Sequence, residues 1–229
     1  MINNYEFEFY LNKLKNKEYF SFTRYGDGEW ICINNTVDSI ITGKNCDGHH
    51  YFPEMREGLQ RALKNDKGYY KARWPENHQQ VVQILGMINN YLNDNNIKTE
   101  WVNATVWENL MLVSGIELLV KQLEKMNYII VSESKKRELP IKYKDFVEVP
   151  LFDCYLEKDR IKEDILKMCD KYESPVFGFS ASMATNVIVD ELYDEIGDKC
   201  WMIDFGSIWD PFIRNRIRSW HDGHLGRTL

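Results

Sequence analysis

No run of apolar residues in this 229-residue chain approaches the roughly 20 that a helix needs to cross a bilayer. The longest, around Leu118 to Val120 and Tyr128 to Val131, are short. The first residues, Met1-Ile2-Asn3-Asn4-Tyr5-Glu6, also lack the basic and then apolar pattern of a secretory leader. The expectation is therefore a cytoplasmic protein with no transmembrane segment. Paired cysteines are missing too. Cys32, Cys46, Cys154, Cys169 and Cys200 are odd in number and scattered, with no C-x-x-C pair, which indicates neither a disulfide framework nor a zinc site. Buried or incidental thiols are expected.

A net positive charge is likewise missing, because 35 Asp and Glu outnumber 29 Lys and Arg. A formal net charge of -6 argues against broad nucleic-acid binding. Arg214-Asn215-Arg216-Ile217-Arg218 is the one basic segment that stands out, and it reads equally well as a solvated helix face or tail. There is no internal repeat and no Pro/Gly/Ser-rich linker. With 44% hydrophobic residues, the chain reads as one domain over residues 1–229 with a sizeable core.

What is present is alternation. Helical patterns around Tyr5 to Asn16, Pro53 to Lys64, Asn77 to Leu92, Trp107 to Met126 (two stretches), Asp159 to Lys171 and Ala184 to Glu195 are interleaved with strand patterns. The strands fall at Tyr19 to Arg24, near Tyr69 to Ala72, and at Thr99 to Val102, Tyr128 to Val131, Phe146 to Val149, Pro175 to Gly178 and Trp201 to Asp204. Such an order predicts an α/β fold: a Rossmann-like, mostly parallel sheet with helices on both faces, binding its ligand at the carboxyl ends of the strands. Residues 43–50, rich in Gly, Asn, Asp and His, read as a mobile loop, and the residues from about Asp222 onward look poorly anchored.

The densest polar cluster follows the first strand, in Arg24-Tyr25-Gly26-Asp27-Gly28-Glu29. Read as an extended stretch, Asp27 and Glu29 point to the same side, where their oxygens could share a hard cation such as Mn2+ or Mg2+. Gly26 and Gly28 would let a diphosphate approach the backbone, and Arg24 could hold a phosphate in a bidentate contact. Gly-Asp-Gly is equally the chemistry of a surface turn, and the residues alone leave both readings open.

This segment, with the strand residues Phe22 and Thr23 before it, resembles the R-[YF]-G-D-G-E signature of bacterial glycosyltransferases of the GT-D type fold, formerly a domain of unknown function. Two later segments look like that family's closing strand, helix and strand with its D-x-G element: Val176-Phe177-Gly178-Phe179-Ser180-Ala181, and Ile203-Asp204-Phe205-Gly206-Ser207. The resemblance implies a Rossmann-like fold, a nucleotide-sugar donor, and a D-x-E pair that contacts a divalent metal and the donor diphosphate. By position, Asp27 and Glu29 inherit that role.

Other candidates are less determined. Ser180, Ser182 and Thr185 lie between a strand and a helix, where hydroxyls cap the helix or bind an anion. Asp204 ends a strand and could bond a ribose or acceptor hydroxyl, or fix the turn with Gly206. Asp153 is a possible general base for the acceptor hydroxyl, as are Asp210 and Glu108. Asn103 could bond a sugar hydroxyl, although an N-cap role is the plainer reading. His49-His50 and His221/His224 read as solvated histidines rather than metal ligands. Trp74 could be a sugar-stacking platform, whereas Trp30, Trp101 and Trp107 read as core.

The leading expectation is transfer of a sugar from a nucleotide-diphosphate donor to a hydroxyl of a glycan, lipid-linked or glycoprotein acceptor. The alternatives are a metal-dependent phosphoesterase and a non-catalytic nucleotide-sugar-binding module. An S-adenosylmethionine methyltransferase fits the alternation, but no G-x-G-x-G follows an early strand.

Overall fold

The structure, a computed structural model, describes residues 4–34, 43–45, 47–112 and 115–213. The basic segment Arg214–Arg218, Cys46 and the pair His221/His224 lie outside the described residues. Seven strands form one sheet: β1 (Ser21–Tyr25), β2 (Tyr70–Arg73), β3 (Trp101–Asn103), β4 (Asn127–Ser132), β5 (Asp145–Glu148), β6 (Pro175–Ser180) and β7 (Trp201–Asp204). Their order is β3-β2-β1-β7-β6-β4-β5, and every pairing is parallel. A parallel sheet is covered on both faces, which is why β4 reads as an uninterrupted apolar run, Tyr128-Ile129-Ile130-Val131, rather than an alternating one.

The helices are α1 (Asn4–Lys15), α2 (Asp27–Asn34), α3 (Pro53–Lys64), α4 (Gln79–Val82), α5 (Leu85–Asp94), α6 (Asn109–Leu112), α7 (Ile116–Leu123), α8 (Lys158–Lys171), α9 (Ala184–Ile196) and α10 (Asp210–Ile213). Alternate strand residues sort them into two layers. Tyr25, Ile129, Val131, Phe177, Phe179 and Met202 face a core shared with α2, α3, α5, α8 and α9. Phe20, Phe22, Tyr128, Ile130, Val176, Trp201 and Ile203 face a second core with α1, α6, α7 and α10. Connections that step toward β3 use the first layer, and those that step toward β5 pass over the second. A single hand of crossover accounts for both sets, as parallel sheets require.

Local chemistry explains the helix that docks most tightly on α9. Pro53 opens α3 at the position where its missing N–H costs nothing, Glu54 lies in the first turn, and Arg61 and Lys64 lie in the last. Gly58 lets Val187 of α9 approach to within 3.0 Å of where a β-carbon would stand. The helix expected across Asn77 to Leu92 is broken into α4 and α5, because Ile84 leaves helical geometry at ψ 2°. The sequence pattern contains no helix at Asp27–Asn34, yet α2 forms there, its Trp30, Cys32 and Ile33 buried against the sheet.

Among the described residues, no helix is long and apolar enough to cross a membrane. Cys32, Cys154, Cys169 and Cys200 are free thiols, three of them buried, as expected.

Candidate functional site

Because all seven strands run the same way, their carboxyl ends share one edge of the sheet. A cavity of about 540 Å3 opens there. Its wall takes Arg24 from the end of β1, Ser132 and Glu133 from β4, Ser180 from β6 and Asp204 from β7, which is where open α/β sheets hold ligands.

The segment Arg24–Glu29 lines this wall, but not as an extended strand. Asp27, Gly28 and Glu29 are the first three residues of α2, with Gly26 at the N-cap. Glu29 Oε2 accepts a hydrogen bond from the Gly26 N–H at 2.8 Å, the reach-back half of a capping box. Asp27 and Glu29 still line the same cavity. They do so from a helical first turn that strand periodicity does not describe. The space beside the glycines is also taken by the protein itself. A β-carbon on Gly26 would stand 3.1 Å from both Glu29 Oε2 and Trp74, and one on Gly28 would stand 3.3 Å from Asn45. Tyr25 does not reach the cavity. Its side chain, on the opposite side of β1 from Arg24, is buried against Trp30 and Trp101.

Arg24 is committed to protein carboxylates rather than free to clamp a phosphate. Its Nη1 lies 3.2 Å from Glu108 Oε1, and its Nε lies 3.4 Å from Asp204 Oδ2. Gly206 makes this possible. It sits at φ +54°, and a β-carbon there would overlap the guanidinium. Asp204 Oδ1 meanwhile accepts the Gly206 N–H at 2.9 Å, so the turn reading of Asp204 is realised in the same place as its cavity position.

One guanidinium thus faces Glu29, Asp204 and Glu108. Burial opposes the Arg24 charge, but Asp204, Glu108 and Glu29 outweigh it and raise its pKa. Loss of surrounding water pushes the Glu29 carboxyl up to about 7. Asp204 and Asp27 add to the shift, while N–H groups of Glu29 and Gly26 oppose it. Asp204 is raised as well, its burial exceeding the pull of Arg24 and of the Gly206 N–H.

Beyond β4 the wall sets two lysines beside two carboxylates, Glu133 and Asp210. Lys136, in the 3-10 turn Ser134–Glu138 after β4, is buried and ion-paired to Asp210, with Glu133 Oε1 3.6 Å away. Lys135 lines the cavity beside it. The sequence reading passed over both lysines, although the rule that function follows each strand end applies to β4 as well as to β1. Ser180 Oγ donates to Gly206 O at 2.6 Å, and Ser182, at φ 52°, accepts a bond from Asn45 Nδ2 at 3.2 Å. Neither hydroxyl caps α9, whose N-terminus carries no side-chain cap. Thr185 is buried within α9.

Asp153 stands apart from the cavity wall. It occupies a left-handed conformation at φ 52°, accepts the His50 N–H at 2.7 Å, and pairs with His50 Nδ1 at 2.7 Å. Partial burial works against its charge, but His50 overrides it and lowers the pKa. The carboxylate therefore clamps the turn around His49 rather than facing an acceptor. Asn45 closes the same turn, its Oδ1 accepting N–H groups of Asp47 and His49. His49, expected in solvent, is buried and lines the cavity. Its Nδ1 accepts the Asp153 N–H at 3.0 Å.

Of the remaining candidates, Glu108, Asp210 and Trp74 line the cavity. No helix begins directly after Asn103, so it is not an N-cap; it closes a turn, its Oδ1 accepting the Thr105 N–H at 2.9 Å. Trp30 and Trp107 are fully buried, and Trp101 is partly so.

Fold and site together define a Rossmann-like α/β protein whose strand-end cavity gathers Glu29, Glu108 and Asp204 around Arg24 and pairs Lys136 with Asp210. In fold, the chain is similar to a solved structure described as the selenomethionine-substituted structure of domain of unknown function 1792 (DUF1792). The two share 15% identity and a TM-score of 0.64 over 96% of this chain and 82% of that chain. No family model and no curated protein matches the sequence.

Proposed function

We propose that the protein is a metal-dependent glycosyltransferase that moves a sugar from a nucleotide-diphosphate donor to a hydroxyl of a glycan, lipid-linked or glycoprotein acceptor. The observation that carries this reading is the strand-end cavity, in which Asp27 and Glu29 open α2 opposite Lys136 and the uncapped start of α9. The R-Y-G-D-G-E segment at that position supports it, as does the fold shared with the DUF1792 domain.

A helix N-terminus attracts anions, but that of α2 is already occupied by its own carboxylates. A diphosphate fits beside them only with a cation between. The carboxylate surplus around Arg24 suits such an ion electrostatically. Among the described residues no three His, Cys, Asp or Glu side chains gather to form a complete protein cage. That donor set suits an ion that takes a few carboxylates and fills its remaining positions with phosphate and water. When bound, Mn2+ or Mg2+ supplies Lewis-acid neutralisation of the departing nucleoside diphosphate, and Asp27 and Glu29 are the residues that would hold it.

The chain's own groups divide the remaining work. Arg24 is a positioning residue that holds Asp204 and Glu108 at the cavity floor. Lys135 lines the cavity beyond β4, where its charge can offset the negative charge gathered by the leaving group, while Lys136 is held by Asp210. Ser180 and Ser182 present hydroxyls at the start of α9. Asp204 lies within the cavity, where it can orient a donor or acceptor hydroxyl.

The test is calorimetric titration of nucleoside diphosphates and nucleotide sugars, with and without Mn2+, into wild type and Asp27→Ala. Wild type is expected to bind one nucleotide class in a Mn2+-dependent way. Asp27→Ala is expected to weaken that binding by at least about tenfold, since each 1.4 kcal/mol is a factor of ten. If no nucleotide binds under either metal condition, the reading fails.

A further inference from the structure

A second cavity, of about 670 Å3, lies at the β3 side of the sheet and runs along β2 and β3, from Tyr70 and Trp101 at their starts to Arg73 and Asn103 at their carboxyl ends. Five aromatic side chains line it: Phe9 and Tyr10 from α1, Tyr70 from β2, Trp74 just past β2, and Trp101 from β3. Phe9 is 48% exposed, so its ring is open to solvent. Polar groups stand among the rings. Asn103 Nδ2 donates to Glu6 Oε2 at 3.0 Å, and Arg73 lies over the Trp101 ring while bonding Glu76 Oε1 at 3.2 Å. Trp74 is the shared wall, for it lines both this groove and the cavity that holds Asp27 and Glu29.

Aromatic faces bordered by carboxylates and an amide match the chemistry of a sugar ring. The C–H face of a pyranose is apolar and packs on an indole or phenyl ring, while its hydroxyls leave the ring edge and seek acceptors and donors. Glu6, Asn103 and Glu76 already pair within the protein, yet each carboxylate has an oxygen that can accept a further hydroxyl, whereas an anion would meet Glu6 and Glu76 with only Arg73 to offset them. The position fits an acceptor as well. It adjoins the donor cavity across one side chain, so that a hydroxyl of a bound ring can pass Trp74 toward the reacting centre.

We propose that this groove is the acceptor site and that it takes a saccharide, with Trp101 and Phe9 as stacking surfaces and Glu6, Asn103 and Glu76 as partners for hydroxyls. This inference rests on the glycosyl-transfer reading above. Trp74 is then the boundary between the two substrates, with one edge against Gly26 and a face stacked on His78 at 4.8 Å.

The indole N–H signals of the full chain in a two-dimensional NMR spectrum test this directly, with Trp101 assigned through Trp101→Phe. The probes are methyl glucoside, methyl galactoside, methyl mannoside, N-acetylglucosamine and rhamnose, and separately UDP and GDP with Mn2+. At least one sugar is expected to shift Trp101. Phe9→Ala and Glu76→Gln, both at the exposed rim, are each expected to weaken that sugar by about fivefold while nucleotide affinity stays within about twofold. If nucleotides bind normally and no sugar shifts Trp101, the groove proposal is overturned and the donor reading stands. If a nucleotide shifts Trp101 and no sugar does, the groove is a base pocket and the proposal again falls. A sugar that shifts Trp101 while no nucleotide binds leaves a saccharide site in place and removes the transferase reading.

Discussion

Glu29 shows how one side chain can serve a helix and a cavity together. Its Oε2 closes the first turn of α2 on the Gly26 N–H, while its charge is opposed by loss of water and by Asp204 and Asp27. A carboxyl raised from 4.5 to about 7 keeps its proton in the folded state after the unfolded chain has lost it. The folded state therefore binds more protons across that window, and stability falls as pH rises from about 4.5 to about 7. In metal-free buffer, denaturant unfolding of wild type should lose roughly 1–2 kcal/mol across that interval, a figure discounted for the water the cavity admits. Glu29→Gln, which cannot ionise, should flatten most of that slope, leaving the part contributed by Asp204. A slope that stays unchanged in the variant would mean that Glu29 is ionised throughout.

At the scale of elements, α9 joins the site to the rest of the first layer. Nine of its residues are buried, Asn186 Nδ2 donates to Arg24 O at 2.9 Å, and its start borders the cavity. The middle of the same helix carries Asp190, a buried carboxylate that ties α9 to α3 and to the segment leading into β2. Tyr69 Oη donates to it at 3.2 Å, Arg61 Nε lies at 3.5 Å, Lys67 Nζ lies at 3.7 Å, and Asn65 donates as well. Without Asp190, Arg61 keeps Glu191, Lys67 keeps Asp194 and Tyr69 keeps the Ala62 carbonyl, so what is lost is the hydrogen bonds to the buried carboxylate. Asp190→Ala is expected to lower unfolding stability by about 1–2 kcal/mol. Nucleotide affinity should change less than about threefold, because no atom of the network lies in the cavity wall. A large affinity loss with stability unchanged would place Asp190 in the functional machinery instead.

At the scale of the whole molecule, both apolar layers close on one uninterrupted sheet. Neither layer can lose its packing without exposing the strands that the other covers. Thermal unfolding followed by tryptophan fluorescence and by far-UV circular dichroism should therefore give one coincident transition. Trp30 and Trp107 report on opposite faces of the sheet, so two separate midpoints would reveal independent halves.

The periodicities of the chain by themselves determined the α/β class, the seven strands in chain order, and the bounds of α3 and β7, because those signals are local and repeat every two or 3.6 residues; α2 carries no such signal. They also determined that chemistry should follow strand ends, and Arg24, Asp27, Glu29, Ser180 and Asp204 meet in one cavity as that rule expects. Only the tertiary structure decided which polar groups line the cavity and which hold the protein together. Arg24 turned from a phosphate clamp into the partner of Glu108 and Asp204, Tyr25 turned inward, and Asp153 closed a turn on His50. Lys136 reached the cavity by pairing with Asp210, 74 positions away. A side chain's charge is written in the sequence, but its partner is set by which strand lies beside which, and that order emerges only when the sheet closes.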